Sequence, residues 1–336
     1  REDSLWFSEF EPVNAEEYLA EKTKDEQLVI ISEAHHKPQH RVFTAELLDE
    51  LYENGFRYLG LEALTPDVVN HTESLLDTTL QKRGYPLNSP ITGIYTQEPQ
   101  MGNLIRRALE LGFELFAYEA ATNDYERDLE QAINVQRFMT DHSDGKVVLH
   151  CGWYHAVETD LPKRKDANYL AFHVKNLTGI DPLTIYQDAL TEHLTSGNSP
   201  YFDLVKADGP SVLVNKKGKV FNGEPDNQHV DIFIYHPPTR YSLGRPDWVW
   251  NDERYSWVGL DPTSFNDTNF PVLIKTFPEG EVNSVPVDII DFSSKDEILN
   301  EDGFPAKIVF YPENVNAEIF IVNQNGKKKT LSYSVD

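Results

Sequence analysis

The chain has one cysteine, Cys151, in 336 residues. A framework of intrachain disulfides is therefore excluded, and so is a cysteine-based zinc ribbon. Such scarcity suits a bacterial envelope or secreted protein. No apolar run approaches the ~18–20 residues of a membrane-spanning helix. Basic residues are also short: 30 Lys+Arg stand against 55 Asp+Glu, a formal net charge of −25. Nucleic acid is a poor partner for such a chain, because neutralising phosphates takes clustered Lys and Arg. Anionic lipid is disfavoured for the same reason. The sequence has no G-x-G-x-x-G, P-loop, EF-hand loop or H-E-x-x-H, and Ser32 and Ser89 lack the G-x-S-x-G elbow of serine hydrolases.

What is present suffices for a core: 40% of residues are hydrophobic and 12% aromatic. The acid excess is spread, with 34 acids to 17 bases up to residue 200 and 21 to 13 after it, so most of it is a solvated face rather than a tail. The chain begins at Arg1 without Met, which agrees with removal of a leader and a place in the bacterial cell envelope or outside the cell.

Short β-branched runs alternate with helical patterns through about residue 240, the mark of βαβ units. Asn14 and Glu17 read as a capping box opening a helix over 14–25. Residues 27–32 read as a buried strand. Pro38 opens a helix that stops at Asn54-Gly55. Further strands are expected at 57–62, 113–118, 146–150, 183–187, 211–214 and 230–235. Helices are expected from Thr65 (with Val68, Val69, Thr72, Leu75, Leu76 and Leu80 on one face), and over 99–111, 124–142 and 164–178. Residues 84–97 form a Pro/Gly-punctuated loop of the length used for lids. After about 260 only β-type runs remain, at 271–276, 285–290, 307–311, 317–322 and 330–334. The expected fold is α/β, a mostly parallel sheet flanked by helices, over 1–260, with a small all-β appendage over 261–336.

The informative feature is what stands at each strand end: Glu33-Ala34-His35-His36, then Glu62, then Glu119, then Cys151-Gly152-Trp153-Tyr154-His155, with Gln187-Asp188 and His236 later. Ligands of α/β sheets bind outside the carboxyl ends of strands, so these groups would converge on one mouth. Glu33 and His36 form an E-x-x-H unit, in which the carboxylate orients the imidazole or both hold a metal; the plainer reading is a helix cap beside an exposed histidine. His35 reads as pointing away, a bystander. Glu62 and His155 are either site residues or ordinary turn and helix-start residues. Arg127, in the first turn of a helix, opposes the helix dipole and calls for a compensating anion. Cys151 reads as a small packed hydrophobe. Tyr95 and Glu98, at the end of the long loop, are candidates to enter the site with Glu119 and bind substrate.

Together these residues resemble the erythromycin esterase-like superfamily, a grouping that includes Tiki-type metalloproteases and ChaN-like haem-binding lipoproteins. The resemblance runs over about residues 27–160, with Ser32 where that family usually has Gly. It implies Glu33, His36, Glu62, Arg127 and His155 as catalytic residues. The expected function is hydrolysis of an ester, lactone or peptide bond by a His/Glu-activated water, on a small-molecule or peptide substrate. A divalent metal (Mn, Co or Zn) held by His36, Glu62 and His155 would serve the same end. The alternative is a non-enzymatic envelope protein binding haem through His and Tyr.

Overall fold

In the computed structural model the residues described are 6–65, 75–90, 92–121, 126–161, 168–194, 197–224, 228–250, 252–313 and 316–333. Of the helix expected from Thr65, the face at Val68, Val69 and Thr72 lies outside them, as do residues 124–125 and 164–167. Leu75 and Leu76 are not helical, Leu76 bridging Phe116, because the helix that holds Leu80 starts only at Thr78, where Asp77 caps it. The chain divides into two units: 1–84 with 107–238, and 85–106 with 239–336. Among the described residues no helix is long and apolar enough to cross a membrane.

The first unit holds an eight-stranded sheet: β1 (Phe10–Asn14), β2 (Leu28–Glu33), β3 (Phe56–Leu61), β4 (Glu114–Ala117), β5 (Lys146–Gly152), β6 (Leu183–Leu190), β7 (Ser211–Asn215) and β8 (Ile232–Tyr235). Their order is β1-β7-β8-β6-β2-β5-β3-β4. β4, β3, β5, β2, β6 and β8 run parallel, and β7 and β1 close the far edge antiparallel. The helices are α1 (Ala15–Lys22), α2 (Pro38–Glu53), α3 (Thr78–Arg83), α4 (Pro99–Leu111), α5 (Arg127–Asp141) and α6 (Leu170–Thr178); the division between units falls within α4.

Local chemistry explains these boundaries. Asn14 Oδ1 accepts from Glu17 N at 2.9 Å and starts α1. Pro38 stands in the first turn of α2, and Gly55 leaves that helix with φ +92°. Every residue of β2 is buried, as expected of a central parallel strand. On one face Leu28, Ile30 and Leu149 pack under Ala132, Val135 and Phe138 of α5 and Ala171 and Val174 of α6. Gly60 is required there, since a Cβ would stand 2.6 Å from Phe116 and 2.7 Å from Leu149.

The second unit is β-rich. Its four-stranded antiparallel sheet has the order β13-β12-β15-β16, from β12 (Val272–Pro278), β13 (Asp288–Phe292), β15 (Ala317–Asn323) and β16 (Lys328–Tyr333). β11 (Tyr255–Gly259) pairs with β14 (Ile308–Pro312), and β9 (Tyr241–Ser242) with β10 (Arg245–Pro246). Residues 85–106 are bound into this unit by Asn103 Nδ2 donating to Val287 O (3.0 Å), Val285 N donating to Pro86 O (3.0 Å) and Arg106 paired with Glu281.

Candidate functional site

Register explains why distant residues meet. Glu33, the last residue of β2, lies level with Gly152, the last of β5; Leu61 of β3 lies level with His150 of β5 and with Ala117 of β4. Four adjacent parallel strands thus end together, and the residues just beyond them share one rim.

Glu33 is buried at 1% exposure, and Arg41 of α2, also 1% exposed, grips it with both arms: Nε to Oε2 and Nη2 to Oε1, each 2.7 Å. Burial raises the Glu33 pKa, but His150, His35 and Arg41 outweigh it and hold the carboxyl at about 2. His35 Nδ1 is 2.8 Å from Glu33 Oε1. With an ionised carboxylate there, the hydrogen-bond network assigns the proton to Nδ1, which leaves Nε2 as the basic nitrogen. The His35 ring lies over Gly152: a Cβ at that glycine would collide with the ring and sit 3.4 Å from Glu62 Oε2.

The second half of the rim is built around Arg127, the first residue of α5. Its Nε and Nη2 bond both Glu119 oxygens (2.9 and 2.5 Å), and Nη2 also bonds Glu62 Oε1 at 2.6 Å. These two carboxylates are the compensation that a cation at a helix start calls for. Glu62 Oε2 accepts from Gly152 N at 2.5 Å. Burial raises the Glu62 pKa, but hydrogen bonding to His155 and the charges of His155 and Arg127 hold it far below the usual carboxylate range.

His155 Nδ1 lies 2.6 Å from Asp128 Oδ1, which also accepts from Leu170 N at 2.8 Å. In the neutral ring Nε2 accepts from Arg127 Nη1 at 3.2 Å; in the charged ring it donates toward Glu62 Oε1 at 3.4 Å. Burial favours the neutral ring, but Asp128 and Glu62 outweigh it and push the pKa up to about 10. A raised histidine pKa stabilises the fold fully below the unfolded value near 6.5, and that contribution is lost as pH rises through about 10. Thermal unfolding should therefore show the protein losing several degrees of stability between pH 7 and 10, and His155→Gln, which cannot titrate, losing less. Parallel curves would contradict this.

Glu33, Glu62, Arg127, His155 and Glu119 are thus brought together. The two neighbouring histidines are exchanged relative to the sequence reading: His35 faces inward, whereas His36 is exposed, its ring 6.1 Å from that of Trp153. Tyr95 and Glu98 belong to the second unit, where Glu98 Oε2 accepts from Met101 N at 2.9 Å and caps α4. His236 is buried, its Nε2 3.0 Å from Gln187 Oε1, and Gln187 in turn donates to Ser32 O at 3.1 Å. Cys151 is buried, and burial pushes its thiol up, as for a packed hydrophobe.

Arg41 and Asp128 were not singled out from sequence. The available signals were a lone charge amid the buried run from His40 to Ala45 and an acid directly after Arg127.

A divalent metal on His36, Glu62 and His155 does not fit these residues. His36 is exposed, both Glu62 oxygens are bonded, and the guanidinium of Arg127 holds the place between Glu62 and Glu119. Among the described residues no group of three or more His, Cys, Asp or Glu side chains is arranged to hold a metal ion.

No protein-family profile and no curated protein matches the chain. Among solved structures it is similar to the type III effector HopBA1, at 14% identity and a TM-score of 0.39, over 68% of this chain and 97% of that one. It is also similar to ChaN of Campylobacter jejuni, described for cofacial haem binding, at 12% identity and 0.34, over 66% and 91%. A third is RRSP, a MARTX toxin effector domain from Vibrio vulnificus, at 15% and 0.30, over 52% and 36%. Likeness this low says nothing of activity, which has to be argued from the side chains themselves.

Proposed function

We propose that the chain is a hydrolase that cleaves an ester, lactone or peptide bond with a water activated at the carboxyl ends of β2, β3 and β5. One observation carries this reading: two imidazoles, His35 and His155, are each backed at Nδ1 by a carboxylate and stand on either side of Glu62. His35, its Nδ1 proton held by Glu33, takes the proton of the attacking water at Nε2. His155, charged at neutral pH, protonates the leaving oxygen or nitrogen. Arg127 Nη1, which faces His155 rather than a carboxylate, supports the developing oxyanion. Glu62 and Glu119 hold that guanidinium in place. This is the constellation that the erythromycin esterase-like resemblance implies, with His35 as base instead of His36. Water exclusion falls in part to Trp153, whose indole packs edge-on to His35 at 4.7 Å.

The test is a panel of ester, lactone and peptide substrates assayed with and without EDTA. Turnover that chelator leaves unchanged is expected. Activity that EDTA removes and Mn²⁺, Co²⁺ or Zn²⁺ restores would replace this mechanism with a metal-bound water. No turnover, with a haem absorption band that His36→Ala abolishes, would replace hydrolysis with ligand binding.

A further inference from the structure

The second unit carries a groove of its own, remote in composition from the acid–base rim. Its floor is the outer face of β12, β15 and β16, since strand alternation buries Ile274, Thr276, Ile319 and Ile321 on the other face. On that floor Phe277 and Phe320 meet edge to face, with ring centroids 5.6 Å apart. One wall is closed by the pairing of Leu87 with Ser284 and by Asn88 N donating to Asn283 O at 2.8 Å. The space enclosed is about 660 Å³, within the range of small-molecule sites.

Three properties of the groove point to a ligand. Lys275 and Lys328 both border it, and Lys328 Nζ stands 5.6 Å over the Phe320 ring. Among the described residues neither ammonium has an ion-pair partner. Of the two acids in the lining, Glu281 is already bonded twice by Arg106, which leaves Glu318 alone against two lysines. A chain of net charge −25 thus gathers in one hollow two lysines that have no ion-pair partner among the described residues. In addition, Asn88 and Asn283 line the wall of the groove. Their amide groups can both donate to and accept from ligand hydroxyls.

We propose that this groove binds a sugar-sized ring bearing a carboxylate, that is, a uronic acid. The phenyl floor accepts the C–H face of the ring, and the Asn88 and Asn283 side chains of the wall exchange hydrogen bonds with its hydroxyls. Lys275 and Lys328 take the carboxylate through charge-assisted bonds. An aromatic acid would use the floor and the lysines but leave the Asn88 and Asn283 amides unused, and a neutral sugar would leave the lysines unused.

Titration calorimetry of the full chain with sodium glucuronate, glucose and benzoate tests the assignment. Glucuronate is expected to bind, with glucose and benzoate each about tenfold weaker, the worth of one charged contact or of about one hydrogen bond to the wall. Lys275→Gln with Lys328→Gln should bring glucuronate down to the level of glucose while leaving the circular dichroism spectrum unchanged. Phe320→Ala should abolish binding of both sugars. Absence of glucuronate binding, binding that survives the double lysine variant, or benzoate binding as tightly as glucuronate would each overturn the proposal. None of these outcomes depends on the hydrolase reading, because no residue is shared.

Discussion

His35→Asn is expected to lower turnover by about 10²–10⁴-fold, the usual worth of a positioned general base, whereas His36→Ala should change it by no more than about threefold. The two residues are adjacent and chemically identical, so the contrast isolates geometry. His35 has its Nδ1 fixed by Glu33 and its ring over Gly152; His36 stands in solvent beside Trp153. Asparagine keeps a donor near Glu33 and a similar bulk, so the fold survives and the loss falls on kcat. The check is steady-state kinetics on the best substrate of the panel, with thermal unfolding to confirm folding. Equal losses in both variants would mean that the turn, and not the imidazole, is what matters.

Glu33→Gln carries the largest expected effect on stability. Glu33 and Arg41 are each 1% exposed and joined by two hydrogen bonds of 2.7 Å. Neutralising the acid takes away the carboxylate that Arg41 bonds twice, and breaking such a buried pair costs about 3–5 kcal/mol. For a unit of this size that lowers the unfolding midpoint by roughly 6–20 °C. Turnover should fall with it, since His35 loses the acceptor that fixes its tautomer. Glu33→Met combined with Arg41→Met separates the two consequences. Replacing a buried ion pair by apolar groups of similar volume is often neutral or better, so the double variant should regain most of the stability and none of the activity. A double variant as unstable as the single one would show that the pair does more than balance charge.

Much of this fold can be read from the chain because local signals and burial agree. β2 is a continuous buried run, α1 has its Asn14 cap, and α2 lies between Pro38 and the left-handed Gly55. The strands that escaped are those where the signals conflict. β1 is exposed at four of its five positions and contains Pro12, which only an edge strand tolerates. β11 has no fully buried residue and so no period to detect. The candidate site was legible as a set of strand ends, because in a parallel sheet the ends of neighbouring strands lie level. What could not be read was the choice between His35 and His36. Strand alternation assigns faces only while the chain stays extended, and residues 35 and 36 already lie in a turn. Arg41 was hidden for a related reason: eight residues from Glu33 and on a helix, its pairing depends on how α2 returns against β2, which no local pattern encodes.

Hydrolysis in water enriched in ¹⁸O asks most directly whether a solvent molecule activated at His35 breaks the acyl bond. The expected result is one ¹⁸O in the acid product and none in the alcohol or amine, with formation of the labelled acid reduced at least about 100-fold in His35→Asn. An acid product without label, as elimination or transfer would give, or labelled acid formed at the same rate without His35, would contradict the account.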